Sequence, residues 1–256
     1  MPRQATSNRD GADLVECFSS IQGEGILVGL RQVFLRFAGC NLNCTFCDTP
    51  GTAYIPKECL LEQTPGRRDF ITVPNPVSCE RVVSLIESWT AGWPGIHHSI
   101  SVTGGEPLLH GAHLSVWLPR LRELLPIHLE TNGTLPEALE PLIPHLDYIG
   151  MDIKLPSASG CPELWDEHEA FLKIAARTGV FVKVVVDQGT ENWEVERSCA
   201  MIAAVDRAIP LILQPMTLAD GGIPLSPLRM LEFQELAAGL KEVRVIPQTH
   251  KFMGQL

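Results

Sequence analysis

Apolar stretches of strand length alternate along the chain with longer segments in which apolar residues recur at helical spacing. The pattern predicts strands over 32–37, 99–103, 128–130, 148–154, 180–186, 209–214 and 242–246, and helices over 78–90, 114–125, 162–178, 192–206 and 227–240. Strand followed by helix, repeated in this way, implies a mostly parallel sheet with helices outside it. No repeat or low-complexity tract interrupts the 256 residues, and barrel-like α/β folds reach this size around one core, so a single domain over 1–256 is expected. The stretch 48–77 breaks the pattern, carrying Pro50, Gly51, Pro56, Pro65, Gly66, Pro74 and Pro76 with little periodicity. A loop of that length reads as an excursion that serves as a lid or partner surface, or as a passive insertion.

Several predicted strands end in polar or glycine-rich clusters: Thr103-Gly104-Gly105-Glu106-Pro107, Glu130-Thr131-Asn132-Gly133-Thr134, Asp152-Ile153-Lys154 and Gln214-Pro215. Ligands of parallel α/β folds bind beyond the carboxyl ends of the strands, so these clusters are expected to meet around one cavity. Taken singly, each is also ordinary turn punctuation.

Composition narrows the class of partner. Hydrophobic residues at 45% against 20% charged are the balance of a folded chain, not a disordered one. A net charge of -10 works against a polyanion, because nucleic-acid affinity comes largely from Lys and Arg on phosphates, and no nucleic-acid partner is expected. The start, Met1 to Asp13, is polar, and no later run of about 18 apolar residues could span a bilayer. A cytoplasmic protein without membrane contact is the expectation.

Cysteine usage points to metal. Eight cysteines in this length are too few and too unevenly spread for a disulfide scaffold, yet Cys40, Cys44 and Cys47 share one short loop after an apolar strand. The others, Cys17, Cys59, Cys79, Cys161 and Cys199, are isolated and read as small buried or surface thiols. Thiolates favour iron–sulfur clusters, zinc or cuprous copper. Structural zinc usually takes four protein ligands, and no second Cys or His pair matches, although a distant lone His could complete a site. An ordinary ferredoxin cluster also needs four cysteines, so three leave one iron of a 4Fe-4S cluster open to something other than protein.

The Cys-x3-Cys-x2-Cys spacing resembles the signature of the radical S-adenosylmethionine (SAM) superfamily. The resemblance implies a partial (β/α) barrel, compact and mostly parallel, in which the open iron chelates the amino and carboxylate groups of SAM. One electron then cleaves the sulfonium to give a hydrogen-abstracting 5′-deoxyadenosyl radical. It also implies SAM contacts from Phe46 before the third cysteine, from Gly104, Gly105 and Glu106 in the Gly-Gly-Glu motif, and from Glu130, Asp152, Lys154 and Gln214 at later strand ends. Thr131 and Asn132 are further candidates. The two glycines are expected to let backbone approach the ligand closely.

Ser20-Ile21-Gln22-Gly23-Glu24-Gly25, Arg36, Cys47-Asp48-Thr49 and the stretch from Arg244 to Lys251 together resemble the 7-carboxy-7-deazaguanine synthase family, from about Glu16 onward. The resemblance implies a carbon–nitrogen lyase that contracts 6-carboxy-5,6,7,8-tetrahydropterin to 7-carboxy-7-deazaguanine with loss of ammonia, towards queuosine and other 7-deazapurines. It brings Mg2+ held by Thr49, a homodimer, and an electron donor such as flavodoxin or ferredoxin. Residue chemistry is compatible: Ile21, Gln22 and Gly23 offer groups for a pterin edge, and Arg36 a guanidinium fork for a carboxylate. Glu24 and Thr103 are expected near the same pocket, with Gln248 and His250 folding back over it from the carboxyl end. Two rivals keep their place: an activase that makes a glycyl radical on another enzyme, and an iron–sulfur electron-transfer protein. A zinc-stabilised α/β binding protein is a third.

Overall fold

The computed structural model describes residues 11–218 and 221–255, so most of the polar start lies outside the described residues. In chain order the elements are β1 (Gly11–Ala12), β2 (Leu14–Ile21), β3 (Arg31–Phe37), β4 (Glu58–Glu62), β5 (Phe70–Pro74), β6 (Val77–Ser78), α1 (Cys79–Gly92), β7 (Ser99–Gly104), α2 (Gly111–Arg122), β8 (Ile127–Thr131), α3 (Pro136–Leu139), β9 (Tyr148–Ile153), α4 (Pro156–Ser159), α5 (Trp165–Ala175), β10 (Gly179–Val186), α6 (Asn192–Val205), β11 (Leu211–Pro215), α7 (Pro227–Leu236), β12 (Val243–Val245) and α8 (Thr249–Met253). No helix among the described residues is long and apolar enough to cross a membrane.

Ten strands form one sheet in the order β12-β11-β10-β9-β8-β7-β3-β2-β4-β5. From β3 to β12 all neighbours are parallel, and these seven strands are the ones the apolar pattern predicts. The other edge differs from expectation. β2 pairs antiparallel with β3, β4 lies parallel to β2, and β5 returns antiparallel on β4. The stretch read as an irregular excursion therefore contains a hairpin that lengthens the central sheet. Its prolines do not prevent this, because Pro74 ends the outermost strand, where a missing N–H leaves no ladder bond unmade.

Alternation along the parallel strands separates two faces. Val33, Leu35 and Phe37, Ile100 and Val102, Ile149, Met151 and Ile153, and Val182, Val184 and Val186 are buried in one apolar core. Helices close that core with Val82, Ile86 and Trp89 of α1, Leu114, Trp117, Leu118 and Leu121 of α2, Phe171 and Leu172 of α5, and Phe233 of α7. Start signals fix the helix entries: Ser78 and Ser226 accept N–H bonds from Arg81 and Arg229, and Glu191 with Glu194 forms a capping box on α6.

Trp117 is fully buried, with its ring centroid 5.8 Å from that of Phe37 on β3. Trp117→Ala is expected to cost about 3–5 kcal/mol, read as a lower urea midpoint. A loss under about 1 kcal/mol would show that α2 does not anchor the sheet in this way.

Candidate active site

The strand positions between those core residues form the opposite face, and most of them are polar. Gln32, Phe34 and Arg36 alternate on β3, Ser99, Ser101 and Thr103 on β7, His128 and Glu130 on β8, Asp152 on β9, Lys183 on β10 and Gln214 on β11. The parallel register sets these residues side by side, pairing Gln32 with Ser99, Arg36 with Thr103, Ser101 with His128 and Asp152 with Lys183. A parallel sheet covered on both faces normally reads as continuous apolar runs. Here one face instead lines a cavity of about 650 Å3.

Hydrogen bonds tie this floor together. Gln22 Nε2 donates to Gln32 Oε1 at 2.8 Å and to Glu130 Oε1 at 2.7 Å, and Gln32 Nε2 donates to Ser99 Oγ at 2.7 Å. Glu130 also accepts from Ser101 at 2.7 Å and from Thr103 at 3.3 Å. Beside it runs a chain of ion pairs: Lys154 to Asp152 at 2.7 Å, Lys183 to Asp152 at 3.3 Å, and Lys183 to Glu24. Burial opposes ionisation of Glu24, but the Lys183 charge and hydrogen bonds from Lys183 and Gln248 outweigh it and hold the carboxyl at about 2. Burial likewise opposes the charge on Lys183, and Glu24 and Asp152 overcome it, so its ammonium is held above the usual range. Three polar atoms on the walls, Asp152 Oδ1, Gln214 Oε1 and His128 Nε2, are buried without a hydrogen-bond partner among the described residues. Such atoms are costly unless a ligand satisfies them.

The cysteine loop forms another wall. It leaves β3 through Gly39, whose φ of 89° needs a residue without Cβ. Glycines 104 and 105 also serve this loop. A Cβ at Gly104 would lie 2.2 Å from the Phe37 carbonyl oxygen, and one at Gly105 2.3 Å from that of Gly39, so their absence lets β7 press against the loop backbone. Asn41 ties the loop to the β8 end, donating to Thr134 Oγ1 and accepting from Asn132 Nδ2. Cys40, Cys44 and Cys47 all face the cavity. Burial pushes up the Cys40 thiol, and it raises Cys44 to about 12 with Cys161 contributing. Lys154 Nζ stands 5.1 Å from the Phe46 ring centroid. The donor set, three thiols on one loop beside orphaned polar atoms, fits a cluster with a polar small-molecule ligand.

At the rim the carboxyl-terminal segment folds back over the cavity. Gln248 Nε2 donates to both Glu24 Oε1 and Asp48 Oδ2 at 2.8 Å, and Thr249 N–H bonds the Gly23 carbonyl at 3.0 Å. His250 packs so closely on Gly23 that a Cβ there would meet its ring at 2.2 Å. Ligand atoms of Glu24, Asp48 and His250 lie within 4.8 Å of one another.

Comparisons with known proteins agree with this geometry. Residues 35–195, which include the cysteine loop and strands β7 to β10 of the floor, match the radical SAM superfamily. A curated 7-carboxy-7-deazaguanine synthase of Geobacter sulfurreducens is 59% identical over 251 residues, covering 97% of this chain and 100% of that protein. The chain belongs to the 7-carboxy-7-deazaguanine synthase family. An Archaeoglobus fulgidus member is 36% identical, over 95% of this chain and 98% of its own. The crystal structure of QueE from Escherichia coli shares the fold at 18% identity, with a TM-score of 0.56 over 93% of this chain and 94% of that one.

In this radical SAM chain nearly every residue expected from sequence lines the one cavity: Ile21, Gln22, Gly23, Glu24, Arg36, Cys40, Cys44, Phe46, Cys47, Thr49, Thr103, Gly104, Gly105, Glu130, Asp152, Lys154, Gln214, Gln248 and His250. Glu106 departs from expectation. It is fully buried beneath the lining, where its carboxylate accepts from Leu108 N–H at 2.9 Å, Thr131 Oγ1 at 2.9 Å and Asn132 N–H at 2.8 Å. It props the β7 and β8 ends that carry the walls. Sequence reasoning missed Lys183, His128 and Asp48, which also line the cavity. A lone lysine in the valine run of β10 was the available signal.

Burial pushes the Glu106 carboxyl from its ordinary 4.5 up to about 7, against its three donors. The folded chain then binds this proton more tightly than the unfolded one, so Glu106 withdraws stability as pH rises from 4.5 through about 7. Glu106→Gln, which cannot titrate, is expected to flatten the pH dependence of the unfolding free energy over that window by up to about 3 kcal/mol. Urea unfolding across the window with unchanged slope would contradict this.

Proposed function

We propose that the chain converts 6-carboxy-5,6,7,8-tetrahydropterin to 7-carboxy-7-deazaguanine with release of ammonia, a carbon–nitrogen lyase step towards queuosine and other 7-deazapurines. The observation that carries the reading is one cavity in which three thiols of a single loop face a hydrogen-bonded polar floor. It occurs in a chain 59% identical to a curated synthase of that name. That likeness, spanning the whole relative, favours a small substrate over activation of a second enzyme. We read residues 1–256 as a single radical SAM domain.

In this reading Cys40, Cys44 and Cys47 hold three irons of a 4Fe-4S cluster. Gly104, Gly105, Glu130, Asp152, Lys154, Gln214 and Phe46 hold SAM, with the unpartnered oxygens of Asp152 and Gln214 suited to accept from its hydroxyl or ammonium groups. SAM bound at the cluster supplies hydrogen-atom abstraction, here from C6 of the pterin. The substrate edge is read by Ile21, Gln22, Gly23 and His250, with Glu24, Thr103 and Gln248 around it. Arg36 donates through Nε to Glu16 at 2.8 Å, and its terminal nitrogens have no hydrogen-bond partner among the described residues, which keeps the end of the fork for a carboxylate. Magnesium enters through Thr49. The neighbouring Glu24 and Asp48 carboxylates give that corner oxygen atoms suited to a hard cation. A cytoplasmic homodimer reduced by flavodoxin or ferredoxin belongs to the same reading.

Substrate deuterated at C6 is expected to pass label into 5′-deoxyadenosine during anaerobic turnover with SAM, a reductant and magnesium. Product formed with no label in 5′-deoxyadenosine would overturn the assigned position. Gln248→Ala removes the amide that joins Glu24 to Asp48 and is expected to raise KM about tenfold with kcat nearly unchanged. Unchanged kinetics would leave the carboxyl-terminal segment a passive surface tail.

A further inference from the structure

Cys161 lies outside the cysteine loop, and its thiol stands 3.7 Å from the Cys44 sulfur. The contact is held by backbone on both sides. Thr45, next to Cys44, donates its N–H to the Ser159 carbonyl at 2.9 Å and its hydroxyl to the Ala158 carbonyl at 2.8 Å. Gly160 takes φ 68°, and a Cβ there would meet the Thr45 methyl at 2.8 Å, so the turn after α4 lies flush against the loop. Within the turn, Cys161 N–H donates to Ser159 Oγ at 3.1 Å, which donates in turn to the Leu155 carbonyl at 2.7 Å. Cys161 is itself buried. Two sulfurs in contact like this cannot serve two different irons of one cluster, so Cys161 is not a fourth ligand.

Between two free thiols either sulfur could donate. Coordination removes the choice, because a cysteine on iron is a thiolate and has no proton to give. The alternative acceptor for the Cys161 S–H is the Ser159 carbonyl, which lies farther off at 4.0 Å, is neutral and already takes the Thr45 N–H. A charged sulfur is the stronger acceptor. Resting on the assignment of Cys44 to the cluster, we infer that Cys161 is a positioning residue whose S–H donates to the Cys44 sulfur and makes the cluster easier to reduce. Reduction adds negative charge that spreads onto the cluster sulfurs. A donor aimed at one of them stabilises the reduced form more than the oxidised form. Burial strengthens so weak a donor.

The test compares the unaltered chain with Cys161→Ala and Cys161→Ser after anaerobic reconstitution, counting iron and sulfide and titrating the cluster potentiometrically by EPR without SAM. All three are expected to hold the same cluster. Cys161→Ala should be harder to reduce, with the one-electron equilibrium constant three- to tenfold lower, up to about 59 mV. Cys161→Ser, whose hydroxyl still donates, should recover part of that shift. An unchanged potential in Cys161→Ala with full iron content overturns the inference, as does a serine variant identical to alanine. Loss of iron from both variants would make Cys161 a ligand or a packing residue and overturns it as well. Should Cys44→Ala keep a full cluster, the ligand assignment beneath the inference fails with it, an outcome the potentials alone would not produce.

Discussion

Lys183 is a cation set among the valines of β10, and the sheet can bury it only because Glu24 and Asp152 face it. Asp152 is shared with Lys154, and Glu24 is shared with Gln248, which reaches on to Asp48. One electrostatic chain thus joins β9, β10, the turn after β2, the end of the cysteine loop and the carboxyl-terminal segment. Buried ion pairs contribute little net stability, since desolvation offsets most of the attraction, yet removing one member leaves an uncompensated charge inside. The consequence is geometric: β9, β10 and the turn after β2 cannot shift apart without stranding a charge, and the neutral amide of Gln248 extends the network to the other two segments.

That chain also explains which parts of the fold the sequence disclosed. The seven parallel strands were legible because their core-facing residues are apolar in every one. β2 was not, because a register shift between Leu14 and Glu16 breaks its alternation and Ser19 and Ser20 interrupt the rest. β4 and β5 sit at the edge among prolines and turn residues, where local signals match those of a loop. For the site, the polar clusters at strand ends could be read, since they stand out from their surroundings. Residues inside the strands could not be read as readily: His128 and Lys183 occur singly within apolar runs, and only the alternation of faces shows that they point away from the core. Glu106 failed for another reason. A motif conveys residue type and spacing, not the direction of the side chain, and here three donors turn the carboxylate inward.

Cysteine 161 was beyond any local reading, because 117 residues separate it from Cys44. Its position depends on the fit of two turns. The glycine pair at the end of β7 lets the cysteine loop settle on one side, and Gly160 admits the α4 turn on the other. The loop is therefore clamped on both sides by backbone contacts. Rigid support of that kind suits a loop that presents three thiols to one cavity.

Charge compensation is uneven across the cavity, and that unevenness locates the rim. Glu24 is neutralised by Lys183, and Asp152 by two lysines. Asp48, by contrast, is exposed, and among the described residues its hydrogen-bond partner is the amide of Gln248, which carries no charge. An amide relieves repulsion between two carboxylates only in part. Beside Thr49, at the meeting point of the cysteine loop and the carboxyl-terminal segment, negative charge is accordingly left without a lysine partner, as it is at Glu130 on the floor. A cation arriving there gains more than at any lysine-paired carboxylate in the cavity, and it does so without disturbing the ion pairs that hold the floor.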